Sequence, residues 1–494
     1  MKRALLSVWD KTGITGLAAT LRDHGVSILS SGGTGTLLRE EKIDYTEVSA
    51  YTGSPEMMDG RVKTLHPKIH GGLLGRRGID DAVMQAHGIE GIDLLVVNLY
   101  PFESMAARGL PLAELVEYID IGGPAMIRAA AKNYSDVAVV VDPADYGIVG
   151  DALGRGGFTP EERLQLARKA FARTAAYDAA ISNYLHGIDT PFPDVLTVQF
   201  ENGRVLRYGE NPHQQAAVYG TAGIAAQVPL QGKQMSYNNY LDVHAAVGLV
   251  REFEDPAAVI VKHNNPCGVA LGETPHAAYV AAREVDPVSA YGSVVALNRP
   301  VDTAVAEELC STFVEVIVAP SFSDAARTAM RKKEAMRVLE LPPVAGGDAI
   351  RTIDGGALVQ RIPPYQEQWQ VVSEREPEAA ELRAMQLAWK VCKHTKSNTI
   401  IFANETATLG IGAGQMSRVD AAKIAIRKAS GSLKGSAVAS DAFLPFPDTL
   451  EVAAEAGATA LVQPGGSIRD AEVIAAANRL DVAMIFTGIR YFRH

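Results

Sequence analysis

The chain is poor in cysteine: Cys267, Cys310 and Cys392 are the only three among its 494 residues, and no Cys-x-x-Cys pair occurs. Three isolated cysteines support neither a disulfide framework nor a zinc ribbon. No apolar run approaches the roughly 20 residues that a membrane-spanning helix needs. The first apolar stretch, from Ala4 to Val8, is too short for a signal peptide. We therefore expect a soluble protein of the cytoplasm with no membrane partner.

The chain also lacks an excess of positive charge and any block of like charges. Its 47 Lys and Arg against 57 Asp and Glu give a formal net charge of −10 at pH 7. This balance argues against nucleic acid as a partner and against an anionic membrane surface, but it allows a local basic pocket. Hydrophobic residues make up 47% of the chain, as in ordinary globular proteins. At this length about two to four domains are expected.

What the chain does have is a regular alternation of short apolar strands with helix signals. Such alternation predicts an α/β fold with a parallel sheet and helices on its faces. Thr159-Pro160-Glu161-Glu162 predicts the start of a long helix that runs to about 185, with Thr159 as its N-cap. Strands are predicted in the first part of the chain at 4–8, 26–30, 93–98 and 137–141.

A segment rich in Gly, Pro and Asp at 187–195 is typical of a linker. We therefore expect an N-terminal domain at 1–190 and a C-terminal region at 196–494. The C-terminal region alternates again and splits near 365 into two halves of related strand–helix rhythm. Its strands are predicted near 257–262, 293–297, 314–319, 399–403, 408–412, 436–440, 459–463 and 482–486.

A lysine and a histidine stand side by side at the end of one predicted strand. Lys262 and His263 follow an apolar run, and Asn264-Asn265-Pro266 then favours a turn. Binding and catalytic groups of α/β sheets collect at strand ends. The pair offers a fixed positive charge beside a base that titrates near neutrality. Taken alone, it is better explained as an incidental pair at a solvated strand end, so its functional interpretation depends on the other polar clusters.

Two loops of the N-terminal domain favour anion binding. Ser31-Gly32-Gly33-Thr34 lies between a predicted strand and a helix, where glycines let backbone N–H groups approach an anion and the helix dipole favours negative charge. The loop 61–72 places one Arg, two Lys and two His together in an acidic protein. It indicates a pocket for a small anionic molecule. A tight glycine turn and a solvated basic loop are the structural alternatives.

Three more polar residues flank predicted elements. Pro101 ends the strand 93–98, so Tyr100 can project at the edge of the sheet. Asp120 would lie near the N-terminus of a following helix and Lys132 near its C-terminus, each favourable to the helix dipole. From the residues alone, this structural explanation of Asp120 and Lys132 is preferred.

Pro266-Cys267 matches half of the Pro-Cys-x-x-Cys site of a zinc deaminase. Position 270 is Ala instead of Cys, and no His-x-Glu occurs in the chain. A zinc deaminase needs the second cysteine and the His-x-Glu to hold and use the metal, so no zinc site is expected.

Taken together and in their order along the chain, the motifs described above closely resemble those of the bifunctional AICAR transformylase/IMP cyclohydrolase family of purine biosynthesis. AICAR is 5-aminoimidazole-4-carboxamide ribonucleotide. The resemblance extends from Ser7-Val8 to Arg490-Tyr491-Phe492-Arg493-His494. It implies a methylglyoxal-synthase-like parallel α/β sheet domain followed by two cytidine-deaminase-like α/β subdomains. It also implies a homodimer with its transformylase sites at the subunit interface.

The family transfers a formyl group from its cosubstrate, 10-formyltetrahydrofolate, to AICAR. The product, formyl-AICAR (FAICAR), then closes to IMP with loss of water. The substrates implied for this chain are therefore AICAR, FAICAR, IMP and folate. A monovalent cation in the C-terminal region is left open, without assigned ligands.

The resemblance also assigns the cyclohydrolase pocket. Lys63, Tyr100, Asp120 and Lys132 match the polar residues implicated in ring closure, with Lys132 the first choice for the proton donor and acceptor. Trp9 stands where a small polar residue or Tyr is expected, and its side chain is expected to pack away from the pocket. The positions that match nucleotide contacts are Trp9, Asp10, Lys11, Ser31, Gly32, Gly33, Thr34, Arg61, Val62, Lys63, Thr64, Val97, Asn98, Asp120 and Ile121.

For the transformylase, the resemblance makes His263 the base for the 5-amino group and Lys262 the stabiliser of the tetrahedral transition state. Asn398 is the third catalytic residue. Arg418, Asp448, Ser467 and Ile468 match folate contacts. The positions that match AICAR contacts are Arg207, Tyr208, His263, Gly292, Glu315, Asn398, Phe443 and Arg490.

Two other functions are alternatives to this enzyme. A nucleotide-binding regulatory protein would keep the pockets without catalysis, but the intact Lys132, Lys262-His263 and Asn398 argue against it. A phosphate-pocket lyase fused to a deaminase is disfavoured by the missing zinc ligands.

Overall fold

The computed structural model describes residues 1–58, 60–188, 190–342, 347–362 and 366–494. The chain divides into two compact units, Met1–Gln199 and Phe200–His494. The predicted division near 365 lies outside the described residues.

Five parallel strands form the centre of the N-terminal unit. They hydrogen-bond in the order β3-β2-β1-β4-β5, and each neighbouring pair is parallel. The parallel α/β sheet predicted for this region is confirmed. From β1 the order runs one way to β2 and β3 and the other way to β4 and β5, and such a switch opens a crevice at the carboxyl ends of the strands. The strands are β1 (Arg3–Val8), β2 (Ser27–Ser30), β3 (Thr46–Glu47), β4 (Leu94–Asn98) and β5 (Ala138–Val140).

Helices cover both faces of this sheet. Successive strand residues point to opposite faces, so Leu5 packs in the core that includes α4, α8 and α10, while Leu6 packs in the core that includes α1 and α9. Short 3-10 turns lie at Val116–Tyr118 and Pro143–Asp145. The helices are α1 (Ile14–Asp23), α2 (Gly32–Glu40), α3 (Val48–Thr52), α4 (Pro67–Leu74), α5 (Asp81–Ala86), α6 (Phe102–Ala107), α7 (Leu112–Leu115), α8 (Gly122–Lys132), α9 (Tyr146–Arg155) and α10 (Pro160–His186).

The predicted start of the long helix α10 is confirmed. The Thr159 hydroxyl accepts a hydrogen bond from the Glu162 N–H at 3.2 Å, and the Glu162 carboxylate accepts one from the Thr159 N–H at 2.9 Å. This reciprocal capping box satisfies two N–H groups that a helix start leaves free. It fixes where the 27-residue helix begins.

Two mixed sheets with one topology form the centre of the C-terminal unit. The first has the order β12-β11-β10-β8-β9, and the second contains the matching series β20-β19-β18-β16-β17, with β15 beyond β20. In both series the first two pairs are parallel and the last two antiparallel. The strands are β6 (Arg204–Val205), β7 (Ala217–Val218), β8 (Ala257–Lys262), β9 (Asn265–Leu271), β10 (Ser293–Leu297), β11 (Val314–Ala319), β12 (Arg337–Glu340), β13 (Ala349–Ile353), β14 (Gly356–Gln360), β15 (Gln370–Val371), β16 (Ile400–Ala403), β17 (Thr408–Gly412), β18 (Ser436–Ser440), β19 (Ala458–Gln463) and β20 (Ala483–Phe486).

The helices of this unit pack on both sheets. Among the helices of the described residues, none is long and apolar enough to cross a membrane. The helices are α11 (Gly223–Ala226), α12 (Tyr237–Val250), α13 (Pro275–Val285), α14 (Pro287–Ala290), α15 (Thr303–Ser311), α16 (Asp324–Met330), α17 (Ala379–Lys393), α18 (Arg418–Lys428), α19 (Asp448–Glu455) and α20 (Asp470–Arg479).

The two sheets also share a close helix–strand contact at corresponding positions. A Cβ on Gly268 of β9 would lie 1.9 Å from the Ala282 carbonyl oxygen of α13. A Cβ on Gly412 of β17 would lie equally close, 1.9 Å, to the Ala421 carbonyl oxygen of α18. Only glycine lets helix and strand approach this closely. The repeated contact and the repeated strand order support two related halves, and their likeness to cytidine deaminases stays a prediction.

The edge strands of the two sheets meet, which brings the strand end at Lys262 towards the second sheet. The Leu271 N–H donates to the Thr406 carbonyl at 2.7 Å. The Val269 N–H donates to the Thr408 hydroxyl at 3.1 Å, and that hydroxyl donates back to the Val269 carbonyl at 3.2 Å. The β8–β9 hairpin is therefore held against the second sheet.

Candidate active sites

A cavity of about 780 Å³ opens at the carboxyl ends of β1, β2 and β4. This is where the strand order predicts a binding site in an α/β sheet. Asp10, Val62 and Lys132 are not among its lining residues. The other positions predicted for the cyclohydrolase pocket all line it: Trp9, Lys11, Ser31, Gly32, Gly33, Thr34, Arg61, Lys63, Thr64, Val97, Asn98, Tyr100, Asp120 and Ile121.

The start of α2 forms an anion cradle at one end of this cavity. Helix α2 begins at Gly32, and the Ser31 hydroxyl does not cap it. The Lys11 ammonium donates to the Val8 carbonyl and, at 3.2 Å, to the Thr34 hydroxyl. A Cβ on Gly32 would lie 3.1 Å from the Lys63 Nζ. Two lysines therefore flank a helix N-terminus with free N–H groups, an arrangement that suits a phosphate.

Asn98 at the end of β4 holds the loop that follows β1. Its Oδ1 accepts from the N–H groups of Trp9 and Asp10 at 2.6 and 2.9 Å, and its Nδ2 donates to the Asp10 carbonyl at 2.9 Å. The Asp10 carboxylate accepts from the Thr12 N–H and hydroxyl, which lower its pKa. Asp10 thus stabilises the loop and does not line the cavity.

Three titratable side chains line the cavity, those of Asp120, Tyr100 and Lys63. The Asp120 Oδ1 accepts from the Gly123 N–H at 2.7 Å, yet burial outweighs this bond and raises the pKa of the carboxyl. Burial also raises the pKa of the Tyr100 phenol, and the nearby Asp120 charge adds to this increase. The Lys63 ammonium lies 3.2 Å from the Glu56 carboxylate. Asp120 can accept a proton, Tyr100 can donate one, and the Lys63 ammonium can stabilise a negative charge.

The side chain of Trp9 does not pack away, which corrects the expectation from the sequence. It is 46% exposed and lines the cavity. Its ring centroid lies 5.1 Å from that of Tyr100 and 6.1 Å from that of Tyr118. The two tyrosines hold the indole beside the cavity because tilted and edge-on aromatic pairs attract one another.

Lys132 lies away from the cavity, although the sequence made it the first choice for proton transfer. Gly122, Gly123 and Met126 of α8 line the cavity, whereas Lys132 is the exposed last residue of this helix. At 1.5 Å per residue, the nine residues from Gly123 to Lys132 span roughly 14 Å. The predicted position near the C-terminus of the helix is thus confirmed, and it separates Lys132 from Asp120.

Arg61 is paired across the cavity rim. Its guanidinium contacts the Glu117 carboxylate through two nitrogens, with Nε to Oε2 at 3.3 Å. Both residues line the cavity. Since both side chains are more than half exposed, this pair contributes little stability and can exchange for a ligand.

In the C-terminal unit, His263 occupies a two-residue hairpin turn. Lys262 at the end of β8 pairs with Asn265 at the start of β9. His263 and Asn264 between them have φ of 53° and 63°, as both central residues of a type I′ turn require. The turn is formed by His263 and Asn264 and thus begins one residue earlier than the predicted turn at Asn264-Asn265-Pro266. Pro266 belongs to the edge strand β9. Positive φ at histidine is uncommon and is concentrated at functional sites.

Asp242 on α12 stabilises this turn. Its Oδ1 accepts from the Asn264 N–H at 2.7 Å. Burial raises the pKa of Asp242, against the lowering effect of the turn N–H groups and His263. The Lys262 ammonium donates to the Tyr291 carbonyl at 2.7 Å. The turn is therefore tied to helix α12, and its lysine to the segment between α14 and β10.

Asn265 connects the hairpin with the segment that carries Asn398. Its Oδ1 accepts from the Lys396 N–H at 3.0 Å. Asn398 pairs through its backbone with Gln415, and its Nδ2 donates to the Met416 carbonyl at 3.1 Å. Lys262, His263 and Gln415 line a cavity of about 390 Å³ between the two sheets.

The other positions predicted to contact AICAR do not line that cavity. The Arg207 guanidinium stacks 5.5 Å from the Tyr208 ring, and the Arg490 guanidinium 4.6 Å from the Phe492 ring. The remaining three lie near strand ends. The Gly292 N–H, just before β10, donates to the Phe313 carbonyl, and the exposed Phe443 follows β18. The carboxylate of Glu315, on β11, pairs with the Arg337 guanidinium at 2.8 Å.

The predicted folate contacts lie at helix starts and on the surface. Arg418 begins α18, with its NH2 group 3.2 Å from the buried carboxylate of Asp441. Asp448 begins α19 and is exposed, and Ile468 is fully exposed. Ser467, beside Ile468, accepts from the Arg469 N–H at 3.1 Å. Among the described residues, no group of three His, Cys, Asp or Glu is placed to hold a metal ion.

Two family models match most of the chain. One, described as AICARFT/IMPCHase bienzyme, matches residues 130–428, and an MGS-like domain matches residues 13–125. The bifunctional purine biosynthesis protein PurH of Magnetococcus marinus is 52% identical over 533 aligned positions, which cover 100% of this chain and 99% of that protein. The chain belongs to the AICARFT/IMPCHase bienzyme family.

The MGS-like match confirms the fold class predicted for the N-terminal domain. A solved structure, that of ForH, is 37% identical and covers 38% of this chain and 100% of its own, with a TM-score of 0.35.

Three residues at the candidate sites are not predicted from the sequence. Glu117 pairs with Arg61, Asp242 holds the His263 turn, and the buried Tyr177 contacts the backbone around Asp120. Each contact joins residues 22 to 57 positions apart. Local periodicity carries no signal for such contacts.

Proposed function

We propose that this bienzyme converts AICAR to IMP, with ring closure in the N-terminal cavity and formyl transfer beside Lys262 and His263. Family membership gives the chain both activities, AICAR formyltransferase with 10-formyltetrahydrofolate and IMP cyclohydrolase. The placement of ring closure is supported by one observation above the others. The anion cradle and the Asp120, Tyr100 and Lys63 cluster line a single cavity.

In ring closure, the carboxamide nitrogen of FAICAR attacks its own formyl carbon. The phosphate lies at the α2 N-terminus between Lys11 and Lys63, so the nucleotide is oriented before reaction. Asp120 accepts the proton from the attacking nitrogen, and the Lys63 ammonium stabilises the oxyanion formed from the formyl oxygen. The oxyanion takes the proton back from Asp120 and becomes the hydroxyl of a carbinolamine. Tyr100 then protonates this hydroxyl, which leaves as water, and the N–H proton of the former formamido nitrogen passes to the Tyr100 phenolate as the C=N bond forms.

For the proton-transfer lysine, the structure supports Lys63 over Lys132. Lys63 lines the cavity, whereas Lys132 is exposed at the far end of α8. Alanine variants of the two lysines test this choice. Loss of ring closure in Lys63→Ala with retention in Lys132→Ala supports Lys63 as the proton-transfer lysine, and the opposite result assigns this role to Lys132.

In formyl transfer, the 5-amino nitrogen of AICAR attacks the formyl carbon of 10-formyltetrahydrofolate. His263 accepts the amine proton, and Lys262 stabilises the oxyanion of the tetrahedral intermediate. The bond from the formyl carbon to N10 then breaks, and N10 takes up the proton held by His263 as tetrahydrofolate leaves. Asn398, held in the neighbouring segment by Gln415 and Met416, contacts AICAR in this proposal.

The proposal includes a homodimer with the transformylase site completed by a second copy. The positions assigned to folate and AICAR include exposed apolar side chains such as Phe443 and Ile468, which would be covered by a partner. If light scattering at micromolar concentration gives the molar mass of a single chain, the proposed homodimer is contradicted.

The proposal also includes a cytoplasmic location, which the three free cysteines favour. A monovalent cation, without assigned ligands, is tested by replacing K⁺ with tetramethylammonium.

Trp9 provides a spectroscopic prediction for the N-terminal cavity. IMP is expected to quench part of the tryptophan emission, because a purine bound in the cavity stacks near the indole. Replacing Trp9 with alanine is expected to weaken IMP binding about tenfold, the size of one base–aromatic contact. Titration calorimetry and emission spectra measure both. The chain has three tryptophans, so Trp389→Phe, in the other unit, is the control and keeps the quench. Equal quenching in Trp9→Phe would contradict the prediction.

Asp242 provides a prediction for the C-terminal site. Asp242→Ala removes the acceptor of the Asn264 N–H and is expected to lower kcat of formyl transfer about tenfold, since a hydrogen bond to a charged group contributes roughly 1.5–3 kcal/mol. Asp242→Asn keeps an acceptor oxygen and is expected to retain most activity. Ring closure of supplied FAICAR is unchanged in both variants. Equal formyl transfer by the wild type and Asp242→Ala would show that the turn needs no such support.

The proposed function is tested by incubating the chain with AICAR and 10-formyltetrahydrofolate and measuring IMP and tetrahydrofolate. Formation of both in equal amounts supports the two-step assignment. Binding of AICAR and IMP by calorimetry without product would replace it with the binding-only regulatory protein.

A further inference from the structure

The hydroxyl of Tyr177 connects the core of the N-terminal unit with the backbone beside Asp120. Tyr177 lies on α10 and is fully buried. Its oxygen accepts a hydrogen bond from the Asp120 N–H at 2.9 Å and donates one to the Tyr118 carbonyl at 2.8 Å. One phenol thus uses both its donor and its acceptor on a segment of three residues.

We propose that Tyr177 is a positioning residue for ring closure, because its buried hydroxyl fixes the segment that presents Asp120 at the cavity. The inference rests on the proposed ring closure in the N-terminal unit. Tyr177 does not line the cavity and touches no substrate. It acts through Asp120.

The segment 119–121 links a 3-10 turn to α8, and it is bonded to neighbouring turns of its own chain as well as to Tyr177. The 3-10 turn ends at Tyr118, and α8 begins at Gly122. Between them, the Asp120 N–H and the Tyr118 carbonyl bond to the side chain of Tyr177, outside any strand or helix pairing. Removing the hydroxyl leaves a donor and an acceptor without their partner in a partly buried place. We expect the segment to shift or loosen in response.

The Tyr177 ring is held rigidly, which makes its hydroxyl a firm anchor. The ring packs edge-on against Phe102 at 6.5 Å, and the Arg173 guanidinium lies 5.6 Å above it. Arg173 in turn pairs with Glu103 at 2.9 Å. Phe102 and Glu103 begin α6, directly after Tyr100 and Pro101. Tyr177 therefore joins the backbone at Asp120 to the helix that follows Tyr100.

The chemistry of the hydroxyl suits a permanent contact. Burial raises the pKa of Tyr177 to about 12, with the Asp120 and Glu103 charges adding to the increase. The phenol therefore stays protonated at neutral pH and keeps donating to the Tyr118 carbonyl. Ring closure depends on Asp120 meeting the attacking nitrogen at hydrogen-bond distance, and a displacement of about 1 Å can lower such a rate by as much as about 100-fold.

The test compares Tyr177→Phe with Tyr184→Phe in the full-length chain. Tyr184 lies on the same helix and also packs its ring edge-on against Phe102, at 5.7 Å, so it is a matched control. Ring closure of supplied FAICAR is measured as kcat per competent site, with the number of sites counted by calorimetric titration with IMP. Formyl transfer by the other unit is the internal control.

We expect Tyr177→Phe to lower kcat of ring closure about 10- to 100-fold, with KM for FAICAR within about threefold because the anion cradle is untouched. Formyl transfer and Tyr184→Phe stay at wild-type values. Unchanged kcat per site would overturn the inference. Loss of IMP binding would also overturn it, since Tyr177 would then maintain the cavity itself. If the wild type does not close the ring at all, the proposed function fails, and this inference fails with it.

Discussion

Replacing His263 with alanine is expected to lower kcat of formyl transfer by about 100- to 10,000-fold, the usual contribution of a general base. The 5-amino group of AICAR is a weak nucleophile, so attack without removal of its proton is slow. His263 is exposed at the tip of a type I′ turn that Asp242 supports, and Lys262 lies beside it at the cavity between the sheets. The rate of tetrahydrofolate release measures the effect.

The same variant is expected to close the ring of supplied FAICAR at the wild-type rate, because the proposed ring-closure cavity lies in the other unit. His276→Ala is the matched control, since His276 lies on α13 of the same unit and is partly exposed. Formyl transfer that survives in His263→Ala but not in Lys262→Ala would move the role of base away from His263.

Replacing Asp120 with asparagine is expected to lower ring closure by a similar factor, about 100- to 10,000-fold, and to make FAICAR accumulate from AICAR. Asparagine keeps the acceptor for the Gly123 N–H and changes only the basicity of the group. Burial raises the pKa of Asp120. Since the ionised form is the one that accepts the proton, the wild-type rate should fall with decreasing pH at a value above the usual range of an aspartate. Asp120→Asn should lack this acidic limb.

Asp178→Asn is the control for this variant, because Asp178 is an exposed residue of α10. It is expected to match the wild type in rate and pH profile. A wild-type rate in Asp120→Asn, or an unchanged acidic limb, would assign the base to another group of the cavity.

The sequence predicted elements whose signals are local. Apolar runs placed β8 and β10 at their observed bounds, and Thr159 marked the start of α10 through its own capping geometry. The backbone arrangement of the proposed anion cradle was also predictable, because β2 ends at Ser30 and α2 begins two residues later with two glycines. In each case the residues that determine the structure lie within a few positions of one another.

Features that depend on distant contacts were predicted less well. The turn at His263 was placed one residue late, because its positive φ values are supported by Asp242 and not by an Asn-Gly pair. Trp9 was expected to pack away, since nothing local shows that Tyr100 and Tyr118 hold its ring beside the cavity. Lys132 was chosen by resemblance, and only the length of α8 shows its separation from Asp120.

The central claim is that one chain carries two separate sites for consecutive reactions, and mixing two variants tests it most directly. Asp120→Asn and His263→Ala are each incubated with AICAR and 10-formyltetrahydrofolate, alone and together, and IMP is measured. The account predicts that Asp120→Asn alone yields FAICAR and His263→Ala alone yields neither product. Together they are expected to form IMP, as FAICAR released by one is closed by the other. If the mixture forms no IMP while Asp120→Asn still accumulates FAICAR, the separate assignment of the two sites is contradicted.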